Sequence, residues 1–151
     1  MNIWLGQTLP PLPQGSAVTI GNFDGVHFGH RHILNRLAAE AHARQLRSVA
    51  IIFEPQPNEF FSHSQPCRLT PLRDKLALLR ETGSLNSVWV QRFNSEFAAL
   101  QAEQFIQKIL RQTLHTRYLL VGDDFRFGKA RGGDFSLLAA QPDFETERTP
   151  S

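Results

Sequence analysis

Four short segments of the chain are apolar and nearly continuous: Ala17 to Ile20, Ser48 to Phe53, Ser87 to Val90 and Tyr118 to Val121. A strand with one wet face alternates apolar and polar residues, so unbroken runs point to burial on both faces, as in a parallel sheet. Between the runs the period becomes helical. Ile33, Leu34, Leu37, Ala38 and Ala41 fall on one stripe of a helix predicted over 30–46. Ala102, Phe105, Ile106, Ile109 and Leu110 do the same for a helix predicted over 98–114. A third helix is predicted from Thr70 as N-cap and Pro71 in the first turn to about Thr82, where Gly83 ends it. A short helix over 134–140 follows, and FETERTPS reads as the start of a further strand.

The resulting order, β-α-β-α-β-α-β, argues for an α/β, doubly wound, Rossmann-like parallel sheet with right-handed crossovers, forming one domain over 1–151. Ligands of such sheets bind beyond the carboxyl ends of the strands. The unusual loops all fall there: GNFDGVHFGH after the first strand, EPQPNEFF after the second, QRFNSEF after the third and GDDFRFGKARGG after the fourth.

Composition narrows the class. Hydrophobic residues make up 41% of the 151 and charged residues 20%, which is an ordinary globular balance. Twelve Phe against one Tyr and two Trp suggest an aromatic-lined core or pocket. The formal charge of +2 is spread along the chain, so no basic stripe for nucleic acid is expected. The single cysteine, Cys67, excludes an internal disulfide framework and reads as a structural thiol. No run approaches the roughly 20 apolar residues of a membrane span, and the start MNIWLGQTLPPLPQG lacks the pattern of a secretion signal. A cytoplasmic protein, off the membrane, is expected.

The first loop carries the sharpest chemistry. Gly21 and Gly25 allow close approach of backbone to a ligand, and the helix entering near Phe28 aims free N–H groups at the same space. His27 and His30 are three apart, so in a helical first turn both imidazoles reach phosphate oxygens from one face. Their role would be to stabilise charge developing on phosphorus, with no covalent intermediate. Helix-start histidines can equally be solvated surface groups. The loop is neither a Walker sequence nor a G-x-G-x-x-G fingerprint.

An H-x-G-H arrangement after a first strand resembles the nucleotidyltransferase superfamily. The run GNFDGVHFGH, FEPQPNEFF, CRLTPLRDKL, FNSEFAALQAEQFI and VGDDFRFGKARGG more closely resembles the adenylyltransferase module of the prokaryotic bifunctional riboflavin kinase/FMN adenylyltransferases, or FAD synthetases, over about residues 16 to 140. The resemblance implies transfer of AMP from ATP to FMN, giving FAD and pyrophosphate with Mg2+, in a protein that would also phosphorylate riboflavin. It implies that His27, His30 and Asp124 are catalytic, with Asp124 holding the reacting ends of the substrates. Gly21, Asn22, Phe23, Asp24 and Gly25 would shape the ATP site together with the two histidines, although Asp24 also suits an Asx-turn or a cap. Pro55, Pro57, Phe61 and Phe127 would face the flavin. Two prolines one residue apart make a rigid extended wall, while Phe60 and Phe61 also suit a core. Arg126, Lys129 and Arg131 suit phosphate or a solvated loop.

Modules of this family continue into a segment resembling I-S-S-T-x-[IV]-R and a riboflavin kinase barrel, and neither pattern is found in these residues. The domain is therefore expected to be incomplete at its C-terminal end, and its activity alone is an open point. A non-catalytic flavin- or nucleotide-binding module is the alternative reading, and a nucleotidyltransferase with another acceptor is a third. The residues give neither metal ligands nor an oligomeric state.

Overall fold

The computed structural model describes residues 1–6, 9–10, 12–23, 28–54, 71–123 and 125–149, with the backbone alone at 28 and 29. Six strands form one sheet: β1 (Asn2–Leu5), β2 (Ser16–Ile20), β3 (Arg47–Glu54), β4 (Ser87–Arg92), β5 (Thr116–Gly122) and β6 (Glu145–Thr149). Their order is β1-β4-β3-β2-β5-β6, and every pairing is parallel. The four expected strands are β2 to β5, each present and each slightly longer, and FETERTPS supplies β6. The first strand, NIWL, was not expected. Its two middle residues are half-buried and its two ends exposed, with no period of their own, and it becomes a strand by pairing with Ser87 to Val90.

All five residues of β2 are buried, which is why its sequence shows no alternation. Its hydroxyls are satisfied internally: Ser16 donates to the Leu114 carbonyl at 2.6 Å and Thr19 to the Leu120 carbonyl at 2.8 Å. Helices α1 (Phe28–Arg44) and α2 (Leu72–Thr82) cover one face, where Leu34, Leu37 and Leu79 meet Ala50, Ile52 and Leu120. The other face is covered by α3 (Ser95–Ala98), α4 (Ala102–Phe105) and α5 (Phe135–Ala139). There Phe105, Ile106, Leu110 and Leu138 pack on Val18, Ile51, Trp89 and Val121. Helices on both faces of a parallel sheet make the expected doubly wound fold.

Local signals account for most boundaries and for the corrections. The helix expected over 98–114 is two helices. Asn94 caps α3 by accepting from the Phe97 N–H at 2.9 Å, and the extended Gln101 restarts the chain as α4 through a capping box with Gln104. From Ile106 to Thr113 the backbone is π-helical, which keeps Ile106, Leu110 and Leu114 buried. Pro71 is the cap residue of α2, not a member of its first turn, because its ψ of 155° is extended; Thr70 lies outside the described residues. Gly83 ends that helix as expected, at a φ of 69° that favours glycine. The first helix begins and ends two residues earlier than its apolar stripe implied.

Edge strand β6 is tied to α1 by side chains. Arg36 donates two hydrogen bonds to the Glu147 carboxylate, at 3.1 and 3.2 Å, and the Tyr118 hydroxyl donates a third at 2.9 Å. Arg44 bridges Glu40 and Glu145 and lies 4.6 Å above the Tyr118 ring. The Arg36 hydrogen bonds hold the Glu147 carboxyl below its ordinary range, while burial and then Glu147 push the Tyr118 hydroxyl up. A depressed carboxyl stabilises the fold above its unfolded pKa and loses that contribution as pH falls through the folded value. The pair is partly exposed, so the effect is modest. Thermal melting of Glu147→Gln should therefore lie a few degrees below the parent at neutral pH, and the gap should close as pH falls below about 4. A gap that does not change with pH would show that the carboxylate charge contributes nothing.

Candidate functional site

The chain runs from β2 outward through β3 to β4, then crosses back to lay β5 against the other side of β2. The connections after β2 and β5 therefore diverge to opposite faces, opening a crevice at their carboxyl ends, the usual ligand position in such sheets. The first loop enters it directly. The Gly21 N–H continues the ladder by donating to the Ile51 carbonyl at 3.2 Å. Phe23, 4% exposed, turns back with a φ of 52° and packs its ring beside Gly21, where a Cβ would lie 3.2 Å from it. That left-handed backbone is unfavourable for phenylalanine, and burial of the ring offsets the cost.

Helix α1 begins at Phe28, so His30 stands in its first turn. Its ring meets Phe23 edge-on at 5.2 Å, and the imidazole is half-buried. Of the expected ATP-site residues, the structure brings together Gly21, Asn22, Phe23 and His30 at the N-terminal end of α1, where the helix dipole favours an anion. Asp24, Gly25 and His27 lie outside the described residues. So do Pro55, Pro57, Phe60, Phe61, Cys67 and Asp124. Neighbouring Asp123 ties the end of β5 to β6 by donating its N–H to the Thr149 carbonyl at 3.0 Å.

On the opposite face, beyond the ends of β3 and β4, lies a cavity of about 750 Å³. Its walls are Phe53, Phe93, Phe97, Phe105, Phe125 and Phe127, half of the phenylalanines in the chain. The rings form a connected set: Phe53 lies 5.6 Å from Phe93 and 5.5 Å from Phe97, and Phe127 stacks on Phe125 at 5.7 Å with 13° between planes. Phe127 was expected at a flavin surface. It lines this cavity while being 6% exposed, so it also belongs to the core. Phe53, Phe93 and Phe97 were not foreseen as site residues; the signals were the excess of phenylalanine and the position of QRFNSEF after a strand.

Arg126, Lys129 and Arg131 line the cavity from the loop after β5, with Arg126 3.8 Å from Asp134. This loop is pinned by backbone. Phe127 and Gly133 exchange hydrogen bonds at 3.2 and 2.9 Å, and the Lys129 N–H donates to the Leu100 carbonyl at 2.6 Å. Ala130 and Arg131 both hold positive φ, near 55°, a strained arrangement of the kind that collects at ligand sites. Flat apolar walls with cations beside them suit an aromatic ring system that carries an anionic arm.

Sheet, crevice and cavity together define a doubly wound α/β domain with a helix N-terminus and an aromatic cavity along one sheet edge. Residues 9–151 match the family model for FAD synthetase, and the chain belongs to the FAD synthetase family. Similar proteins include the bifunctional riboflavin kinase/FMN adenylyltransferase of Escherichia coli (strain K12), 50% identical over 126 residues, 83% of this chain and 40% of the relative. The protein of the same name from Haemophilus influenzae is 44% identical over 84% of this chain and 41% of the relative. The chain thus spans about 40% of the length of the curated relatives it matches. Among solved structures, one titled as a macrolide-efflux protein from Streptococcus pneumoniae superposes with a TM-score of 0.83 at 21% identity, over 99% of this chain and 52% of that one, a likeness of fold alone. Among the described residues, no helix is long and apolar enough to cross a membrane.

Gly128 is the glycine on which the cavity wall depends. Its φ of 80° and ψ of 174° are open essentially to glycine only, and a Cβ would lie 2.8 Å from the Ala102 backbone. Gly128→Ala should cost about 2–3 kcal/mol in urea unfolding. Gly83→Ala meets nothing within 4 Å and should cost about 1 kcal/mol. Equal costs would show that contact with Ala102 does not constrain the loop.

Proposed function

We propose that this chain provides the adenylyltransferase chemistry of its family, joining AMP from ATP to the phosphate of FMN to give FAD and pyrophosphate. The observation that carries the reading is the six-phenylalanine cavity with Arg126, Lys129 and Arg131 beside it, at the same sheet edge as the N-terminal end of α1. A flavin ring matches the flat apolar walls, and its phosphate matches the cations. ATP phosphates suit the helix end, with Gly21 giving backbone access and His30 donating a hydrogen bond. Residues 1–151 would form the nucleotidyltransferase domain.

In the reaction, an FMN phosphate oxygen attacks the α-phosphorus of ATP while the bond to the β-phosphate breaks and pyrophosphate leaves. The chain's part is to align the two phosphates and stabilise the charge that builds on the equatorial oxygens. By family resemblance His27 shares that task with His30, Asp124 holds the reacting ends, and Pro55, Pro57 and Phe61 extend the flavin wall. Among the described residues no group of three His, Cys, Asp or Glu is placed to hold an ion. Magnesium characteristically needs only one or two carboxylates when phosphates complete its shell, so it would enter with ATP and neutralise charge there.

Purified chain incubated with FMN, ATP and magnesium should produce FAD, detected by chromatography. His30→Ala should lower turnover about 10²–10³-fold while changing FMN affinity by less than about threefold, as expected of a contact that strengthens in the transition state. Phe97→Ala, chosen over the core residue Phe127, should weaken FMN about tenfold and leave ATP unchanged. FMN binding without FAD would favour the binding-only alternative. Absence of both FMN and ATP binding in calorimetry would sink the proposal.

A further inference from the structure

The loop after β5 closes on itself. Phe127 and Gly133 form an antiparallel bridge, which sets the residues just outside it, Arg126 and Asp134, opposite one another at the base of the loop. Nη1 of Arg126 lies 3.8 Å from Oδ2 of Asp134, and both side chains are half-exposed. The two are not equally able to move. Asp134 is the N-cap of α5: its backbone is extended, and its Oδ1 accepts from the Leu137 N–H at 3.0 Å. Its carboxylate is thereby tethered to the helix. Arg126 is a long side chain that lines the aromatic cavity, and its contact with Asp134 is beyond hydrogen-bond length. Among the described residues, the other two cations of that wall, Lys129 and Arg131, have no ion-pair partner.

The strengths of the competing contacts decide what the carboxylate does. A half-exposed ion pair at this distance favours its own formation by a few-fold at most. A phosphate accepts two short, charge-assisted hydrogen bonds from one guanidinium and is the stronger partner. We infer that Asp134 is a specificity-determining residue of this site: a fixed counter-charge that Arg126 must leave to take the phosphate of a flavin. Arg126 changes partners as the phosphate enters, and Asp134, held by its cap, stays behind. Asp134 therefore lowers affinity for a phosphorylated flavin and leaves affinity for the bare flavin untouched. This role rests on the reading of the aromatic cavity as the FMN site.

FMN and riboflavin share the ring and differ in the phosphate, so the two ligands together are the probe. Each is titrated into the purified chain with flavin fluorescence as the readout. Asp134→Asn removes the charge and keeps a cap, since asparagine caps a helix as well as aspartate does. It should bind FMN about threefold more tightly than the parent chain and riboflavin equally well. The gain should vanish in an Arg126→Ala background, persist in a Lys129→Ala background, and shrink towards nothing near about 0.5 M salt, where exposed charges are screened. Asp134→Ser, a second neutral cap, should repeat the result and controls for a variant that loosens α5. An unchanged ratio of FMN to riboflavin affinity would overturn the inference. Weaker FMN binding would overturn it too, by showing that Asp134 holds Arg126 in place for the phosphate. The same gain without Arg126 would assign the effect to direct repulsion of the ligand and rule out the exchange. If the parent chain binds FMN and neither variant changes the ratio, this inference alone fails; if the parent does not bind FMN, the functional reading fails and takes this inference with it.

Discussion

Strand β2 is hydrogen-bonded in parallel on both sides, to β3 and to β5, and all five of its residues are buried. A parallel neighbour cannot be reached by a tight turn, so each pairing demands a crossover, and crossovers of one hand return every strand pointing the same way. The carboxyl ends of β2 to β5, with their glycines and aromatics, are thereby gathered on one edge. The reversal of strand order around β2 then separates the connections and leaves room between them. Without that central pairing, the first loop and the loop after β5 would be remote in space as they are in sequence.

Packing on the two faces gives the edge its two characters. On the α1 face, small and aliphatic residues let the helix sit closely on the sheet and deliver its N-terminal turn, with His30, beside Gly21 and Phe23. On the other face the helix is interrupted at 99–101, and the interruption leaves space that phenylalanines from β3, from just after β4 and from the β5 loop line but do not fill. The close approaches of Gly128 to Ala102 and of Gly133 to Phe127 hold the far wall against the restarted helix. A polar, dipole-rich end and an apolar, aromatic end suit the reaction proposed above, which would join two phosphates with a flavin as one partner.

Much of this was legible in the residues. Buried strands announced themselves as unbroken apolar runs, and Gly83 marked a helix end because its φ excludes most side chains. The GNFDGVHFGH loop was expected to be a phosphate site, and of it the strand end at Gly21 to Phe23 and the helix start carrying His30 are seen where a parallel sheet puts them. Phe127, expected within GDDFRFG at a flavin surface, lines the cavity, whereas Phe53, Phe93 and Phe97 were not foreseen there, since an aromatic on a strand end or a short helix looks the same whether it fills a core or lines a cavity. The 98–114 helix was misread as continuous for a related reason: a stripe with a period near 3.6 does not reveal a cap at Asn94, a restart at Gln101 or a change to π-helical turns.

Strand identity, helix faces and the chemistry of each loop were set by local sequence, because propensity, periodicity and turn residues act over a few neighbours. Strand order, the pairing of NIWL with β4, the bond network from Arg36 and Tyr118 to Glu147, and the convergence of six phenylalanines were decided only in the tertiary structure. Those features join residues up to about a hundred positions apart, and their free energy exists only once the chain has closed on itself.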